Sequence, residues 1–199
     1  MDSRQYAQAR VVSSDSEPLI LVDENDQPLG TLSKGACHDG EGRLHRAFSV
    51  FLFDANGRLL IQQRAAGKRL WPGYWANSCC SHPRADEEMD EATLRRVSEE
   101  LGLEESPALE FVYKFRYHAR YENEGSEHEL CWVYLGRVDA DSLYPNALEI
   151  AEWRFLEADA VDDLMNTEGE SVAPWFRLEW NALRHEHADR LRVYLGNDS

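Results

Sequence analysis

An α/β fold, with a mixed β-sheet packed between helices, is what the sequence predicts, on three observations. Apolar runs of strand length recur at residues 46–53, 58–63, 111–118 and 127–135, bounded by Gly, Asn and Asp. Between the second and third runs, Met89, Thr93, Val97 and Leu101 repeat every fourth position, the stripe of a helix buried along one side. The chain has 199 residues and is 43% hydrophobic, enough for one domain with a sizeable core. A polar, flexible tail is expected over residues 1–18 and a single domain over 19–199.

The elements follow in order. Residues 19–22 form a short buried strand, and residues 23–30 supply turn residues after it. Residues 46–53 and 58–63 read as a hairpin across Asp54-Ala55-Asn56-Gly57, whose Asn-Gly pair tolerates positive φ. Its first arm carries apolar residues on both sides, so it is buried on both faces. The helix begins with Asp86 as N-cap, with Glu87 and Glu88 at its positive end, and Gly102 stops it. Residues 152–156 form another strand and residues 157–165 a helix. Pro174 then opens one long C-terminal helix through Trp175, Phe176, Leu178, Trp180, Leu183 and Leu191.

Composition narrows the function classes. The formal net charge of −16 argues against a general nucleic-acid binder, yet permits a small anionic substrate held by locally gathered cations. No apolar run reaches the roughly 18 residues of a membrane span, and residues 1–18 lack the apolar segment of a signal peptide. Cys37, Cys79, Cys80 and Cys131 show no framework spacing, so reduced thiols in a cytoplasmic protein are expected.

Residues 71–83 concentrate the reactive groups. Three large aromatics, two prolines and a glycine surround Cys79-Cys80-Ser81-His82. In an extended segment Cys80 and His82 point to one side, where they suit a nucleophile, a proton carrier or a metal, or a buried core under an aromatic lid. His38 and His45 flank a glycine-containing loop, a weak signal for ligands. Glu127 and Glu129 share a strand face with Cys131, Val133 and Leu135. Two carboxylates opening an apolar stripe bind a cation, share a proton, or reach solvent at the sheet edge. Arg64, Lys68 and Arg69 form a basic cluster that is either a solvated loop or a phosphate clamp. Intrahelical pairing explains Arg95–Glu99 and Arg96–Glu100 at i,i+4.

The helix also follows the Nudix box, G-x5-E-x7-R-E-U-x-E-E-x-G-U. Ser81, Glu87 and the run from Arg95 to Leu103 keep its register, with Ser81 for the leading glycine and Arg96 for the first helical glutamate. Together with Leu44-His45-Arg46-Ala47-Phe48-Ser49, Asn77-Ser78-Cys79-Cys80-Ser81-His82-Pro83 and Glu127-His128-Glu129, the sequence resembles the type 1 isopentenyl-diphosphate Δ-isomerases over nearly its whole length. Both departures from the box fit those isomerases.

The resemblance implies a Nudix-type α/β/α sandwich with extra N-terminal strands. It implies one divalent metal (Mn, Mg or Zn) held by His38, His45, His82, Glu127 and Glu129, and no flavin. Cys80 and Glu129 are the implied acid/base pair, with Tyr117 assisting. Glu100 is implied to hold a Mg²⁺ arriving with an isoprenoid diphosphate, whose phosphates meet Lys34, Arg64, Lys68 and Arg96. Trp180 is implied to line the isoprenoid end. A monomer is expected, with a dimer left open, and neither nucleic acid nor membrane insertion is expected. The alternative is a Nudix hydrolase of a nucleoside or organic diphosphate; a metal-stabilised binding module is a third class.

Overall fold

The computed structural model describes residues 10–167 and 171–196. Strands β1 (Pro18–Val22) and β2 (Pro28–Ser33) form an antiparallel pair. Strand β3 (His45–Phe53) is the spine of the nine-stranded sheet. Helix α1 (Lys34–His38) connects this N-terminal pair to it. Ala47, Phe51 and Phe53 pack into one core and Phe48, Val50 and Leu52 into the other, so β3 is buried on both faces, as its composition requires.

The expected hairpin forms only at its tip. Strand β4 (Leu59–Arg64) meets β3 at Phe53↔Leu59, then diverges to pair with β5 (Trp75–Ala76) and β9 (Ile150–Leu156). Polar side chains bridge the parted arms. Ser78 Oγ accepts from Leu52 N at 2.8 Å and donates to Leu60 O at 2.6 Å, while Asn77 Nδ2 donates to Val50 O at 3.2 Å. Beyond them, β6 (Cys79–Ser81) pairs with β3, setting Cys80 opposite Ser49. Strand β8 (Gly125–Arg137) runs parallel to β3 on its other edge and antiparallel to β7 (Leu109–Tyr121).

Helix α2 (Met89–Leu101) covers one face through Ala92, Val97 and Leu101. The other face is covered by α3 (Ala158–Asn166), α4 (Pro174–His185) and α5 (Ala188–Arg192), completing the mixed-sheet sandwich the sequence implied. Gly102 closes α2 at φ 70°, and a Cβ there would meet Tyr144 O at 2.1 Å.

Three expectations are corrected. The N-cap of α2 is Glu88, not Asp86. Residues 84–87 instead form a turn in which Arg84 N donates to Glu87 Oε2 at 2.9 Å and Arg95 grips the same carboxylate. The long C-terminal helix is two helices. The chain turns at His187, whose ring stacks on Tyr113 at 4.3 Å, and this turn lets Leu191 return to the core. Finally, the described part of the expected tail is anchored rather than free, while residues 1–9 lie outside the described residues. Val12 is buried, its carbonyl accepts from Arg96 Nη1 at 2.7 Å, and Ser13 Oγ accepts from Lys34 Nζ at 2.6 Å.

Candidate active site and metal centre

Five side chains expected as ligands come together beneath the β3–β8 edge. His38 ends α1, His45 opens β3, His82 follows β6, and Glu127 and Glu129 lie on one face of β8. The parallel register places His45 beside Glu129. Gly125, at φ 153°, permits the close approach of α1 to β8, since a Cβ there would lie 2.2 Å from His38 O.

Backbone carbonyls fix the imidazoles. His38 Nδ1–H donates to Lys34 O at 2.6 Å and His45 Nδ1–H to Arg43 O at 2.7 Å, so the Nε2 lone pair of each faces inward. His38 Nε2 lies 2.8 Å from Glu127 Oε2, and His82 Nε2 lies 2.9 Å from Glu129 Oε1. One ligand atom from each of the five residues lies within 4.8 Å of the others. His45 Nε2 is buried without a hydrogen-bond partner among the described residues. An orphaned inward lone pair beside two carboxylates fits a divalent cation. Burial, then the neighbouring His45 and Lys34, push His82 well below the usual imidazole range and keep it a neutral ligand. Burial acts to raise the Glu129 pKa, but His45, 3.6 Å away, and the Tyr117 hydrogen bond overcome it and hold it down at about 2.

The cluster forms one wall of a cavity of about 420 Å³. Cys80, Tyr117, Glu129 and Trp175 line it together. Tyr117 O–H donates to Glu129 Oε2 at 2.6 Å; burial and then the Glu129 charge push the phenol well up, so it remains a neutral donor. Cys80 Sγ accepts from Trp175 Nε1–H at 3.1 Å and from Ser49 Oγ at 3.6 Å. Asn77 Oδ1 lies 2.6 Å from the sulfur, and its Nδ2 is spent on the Val50 and Cys79 carbonyls, which fixes the amide's orientation. Burial, then Glu179, push the Cys80 thiol well above its ordinary value. Cys80 and His82 face the same cavity, as the period-two pattern predicts. Cys79 points into the core under α2.

Trp180 does not reach this cavity, contrary to expectation. It is buried in the core, and its Nε1–H donates to Asp162 Oδ1 at 2.7 Å. Trp175 is the indole at the site. Five residues along α4 correspond to about 500° of rotation, which carries Trp180 roughly 140° away from Trp175.

Lys34, Arg64, Lys68 and Arg96 also line the cavity, and each is already engaged. Lys68 pairs with Glu149, and Arg96 bonds the Val12 carbonyl, Glu100 and Glu149. Arg64 donates to Leu70 O and Trp71 O and stacks over Trp175 at 5.2 Å. Burial, then Lys68 and Arg96, lower Lys34 to about 8. Glu100 sits behind Arg96, buried against its guanidinium. Sequence reasoning missed Glu149, Trp175, Ser49 and Asn77. Of these, Ser49 and Asn77, each inside a quoted motif, carried a signal in the sequence.

The NUDIX domain model matches residues 43–176. The chain is 42% identical to isopentenyl-diphosphate Delta-isomerase 1 of Photorhabdus laumondii, over 88% of this chain and 99% of that one. It is 43% identical to an isopentenyl-diphosphate Delta-isomerase of Burkholderia multivorans, over 80% and 89% of the two. The crystal structure of DR0079 from Deinococcus radiodurans has the same fold, with a TM-score of 0.67 and 22% identity over 83% of this chain and 98% of that one.

Proposed function

This chain belongs to the isopentenyl-diphosphate Delta-isomerases within the NUDIX domain family, and from that premise we propose that it interconverts isopentenyl and dimethylallyl diphosphate in isoprenoid biosynthesis. Moving the double bond from C3–C4 to C2–C3 requires a proton added at C4 and one removed at C2. An unactivated alkene is a weak base, so the transition state resembles a tertiary carbocation. The observation that carries the reading is one cavity lined by both a thiol and a tyrosine-bonded carboxylate, next to a cation-rich end.

In this reading Cys80 and Glu129 are the acid/base pair, and each takes both parts because the reaction is reversible. Tyr117 holds a donor on Glu129 Oε2 and keeps the carboxyl oriented. Trp175 presents its indole beside Cys80, where a desolvated ring face stabilises developing positive charge by about 2 kcal/mol. Trp71, at φ 48°, packs edge-on against Trp175 at 5.4 Å and against Tyr121 at 5.1 Å, and this aromatic wall excludes water that would capture the cation. Lys34, Arg64, Lys68 and Arg96 take the diphosphate, with Glu100 at the Mg²⁺ that accompanies it.

His38, His45, His82, Glu127 and Glu129 would hold the resident divalent metal. When bound, it supplies a positive charge that permits carboxylates to lie buried in an otherwise apolar cavity. Three imidazoles and two carboxylates suit Mn²⁺ or Mg²⁺ in a near-octahedral site and Zn²⁺ on ligand type. Hydrolysis is disfavoured, because Arg96 stands where the box calls for a glutamate and is tied into the Glu100–Glu149 network. The test is proton NMR of the protein with isopentenyl diphosphate and Mg²⁺ in D₂O. Deuterium-labelled dimethylallyl diphosphate is expected; release of phosphate or an isoprenyl monophosphate would turn the reading to a hydrolase.

A further inference from the structure

One buried carboxyl near the cavity has no part in the chemistry above. Glu179 lies on α4 one turn beyond Trp175, on the same side of the helix, and is 0% exposed. Cys131 Sγ–H donates to its Oε1 at 3.4 Å, while its Oε2 is buried without a hydrogen-bond partner among the described residues. Cys131 Sγ lies 3.5 Å from Ser49 Oγ, and Ser49 Oγ lies 3.6 Å from Cys80 Sγ. A continuous set of weak donors and acceptors therefore joins Glu179 to the thiol that Trp175, one turn earlier, contacts directly.

We propose that Glu179 is a positioning residue which, through Ser49 and Cys131, turns a hydroxyl donor onto the Cys80 sulfur. The inference rests on the reading of Cys80 as a reacting group. Cys131 has a single hydrogen to give. A charged carboxylate at position 179 takes that hydrogen, leaving the Cys131 sulfur to draw the Ser49 hydrogen away from Cys80. An uncharged carboxyl supplies its own O–H to the Cys131 sulfur, which frees the Cys131 hydrogen for Ser49 Oγ and aims the Ser49 hydrogen at the Cys80 sulfur. Burial favours the uncharged form, lifting Glu179 to about 8 against the Cys131 bond, and no Lys, Arg or His of the described residues pairs with it. A side chain with no such role would be cheaper as an apolar residue, since one of its oxygens is orphaned.

The test compares E179L, E179Q, S49A and the E179L/S49A double variant, with metal content and circular dichroism recorded for each. E179L is expected to lower kcat about tenfold or more with KM within about twofold, and E179Q, uncharged and still a donor, to restore most of the loss. S49A is expected to fall as E179L does, and the double variant no further, because both act through one hydrogen bond. Wild-type kcat in E179L, or losses that multiply in the double variant, would overturn the proposal. If E179L does not fold, S49A decides: kcat unchanged in S49A overturns it. Alkylation of Cys80 by iodoacetamide, followed by peptide mass spectrometry, separates this proposal from the isomerase reading. Should the wild type make no dimethylallyl diphosphate, that reading falls, while an alkylation rate altered about fivefold in E179L and S49A but not in E179Q still supports the positioning role. An unaltered rate overturns it.

Discussion

The ligand cluster and the cation cluster of the cavity, its ligand end and its cation end, are built on opposite electrostatic plans. At the ligand end, three imidazole nitrogens and two carboxylates converge, and His45 Nε2 is left without a partner among the described residues. At the other end all four cations are engaged: Lys68 by Glu149, Arg96 by Glu100, Glu149 and the Val12 carbonyl, Arg64 by the Leu70 and Trp71 carbonyls, and Lys34 by Ser13. The first end offers a cation five ligand atoms. The second already pairs Lys68 and Arg96 with carboxylates, with only Arg96 Nε left over, and a diphosphate must compete with Glu149 for its partners. The difference teaches that binding at the two ends has different costs. The ligand end gains a missing charge in a preformed cage, whereas the cation end exchanges one set of ion pairs for another.

Chelation attacks the ligand end alone and carries the largest expected effect. Stripping divalent metal should abolish isomerisation and lower the melting temperature, both restored by Mn²⁺ or Mg²⁺, because a ligand bound only by the folded state stabilises it. Activity and melting temperature unmoved by a strong chelator would break the comparison. Next comes C80A, expected to cost at least about 10³-fold in kcat, with fold and metal content intact, as loss of an acid/base group does. Wild-type turnover in that variant sinks the proposed chemistry. The two α4 indoles give a sharper contrast. W175L should lower kcat about 10–30-fold, from a loss of about 2 kcal/mol of cation stabilisation. W180A should instead cost about 3–5 kcal/mol of stability, read by denaturant unfolding, through the core cavity it leaves.

The smallest effect tests the cation end. Lys34 is held at about 8 by burial and its neighbours Lys68 and Arg96, so its charge is lost as pH rises through that value. kcat/KM should fall above about pH 8, and K34R, which stays charged, should move that limb upward. Stability runs the other way. Between about 8 and the ordinary 10.5 the unfolded chain binds more protons at this lysine than the folded one, so the stability contribution rises with pH. A kcat/KM profile flat to pH 10 would show that Lys34 does not meet the diphosphate.

Period-two and period-four patterns in the sequence sufficed for the main strands, for α2 and for the face shared by Glu127, Glu129 and Cys131, because burial acts residue by residue along those elements. The five expected ligands were legible for a different reason: the motifs that carry them match those of the isomerase family. What the sequence could not show depends on distant partners. The indole at the site is Trp175 rather than Trp180, a choice set by how α4 rotates against the sheet. Asp86 lost the cap because Glu87 closes a turn with Arg84 and Arg95. The break at His187 depends on Tyr113, far away in the chain. Residues 10–17 look polar and loose until Arg96 and Lys34 are seen to hold them.

The parallel pairing of β3 with β8 has a bearing on how the chain folds. The β7–β8 hairpin is local and brings in Glu127 and Glu129, but those two carboxylates then face each other without imidazoles. Only the pairing of His45 with Glu129, which joins residues 45 and 129 through a parallel register, completes the cage. Contacts of such long sequence separation form late, since loop closure must precede any gain from them. Closure of the five-residue cage is therefore late in folding rather than its seed, and it marks a chain whose sheet has found the correct register. A one-residue slip of β8 would turn both carboxylates to the opposite face. The intact cage thus distinguishes correctly threaded molecules from compact but misregistered ones.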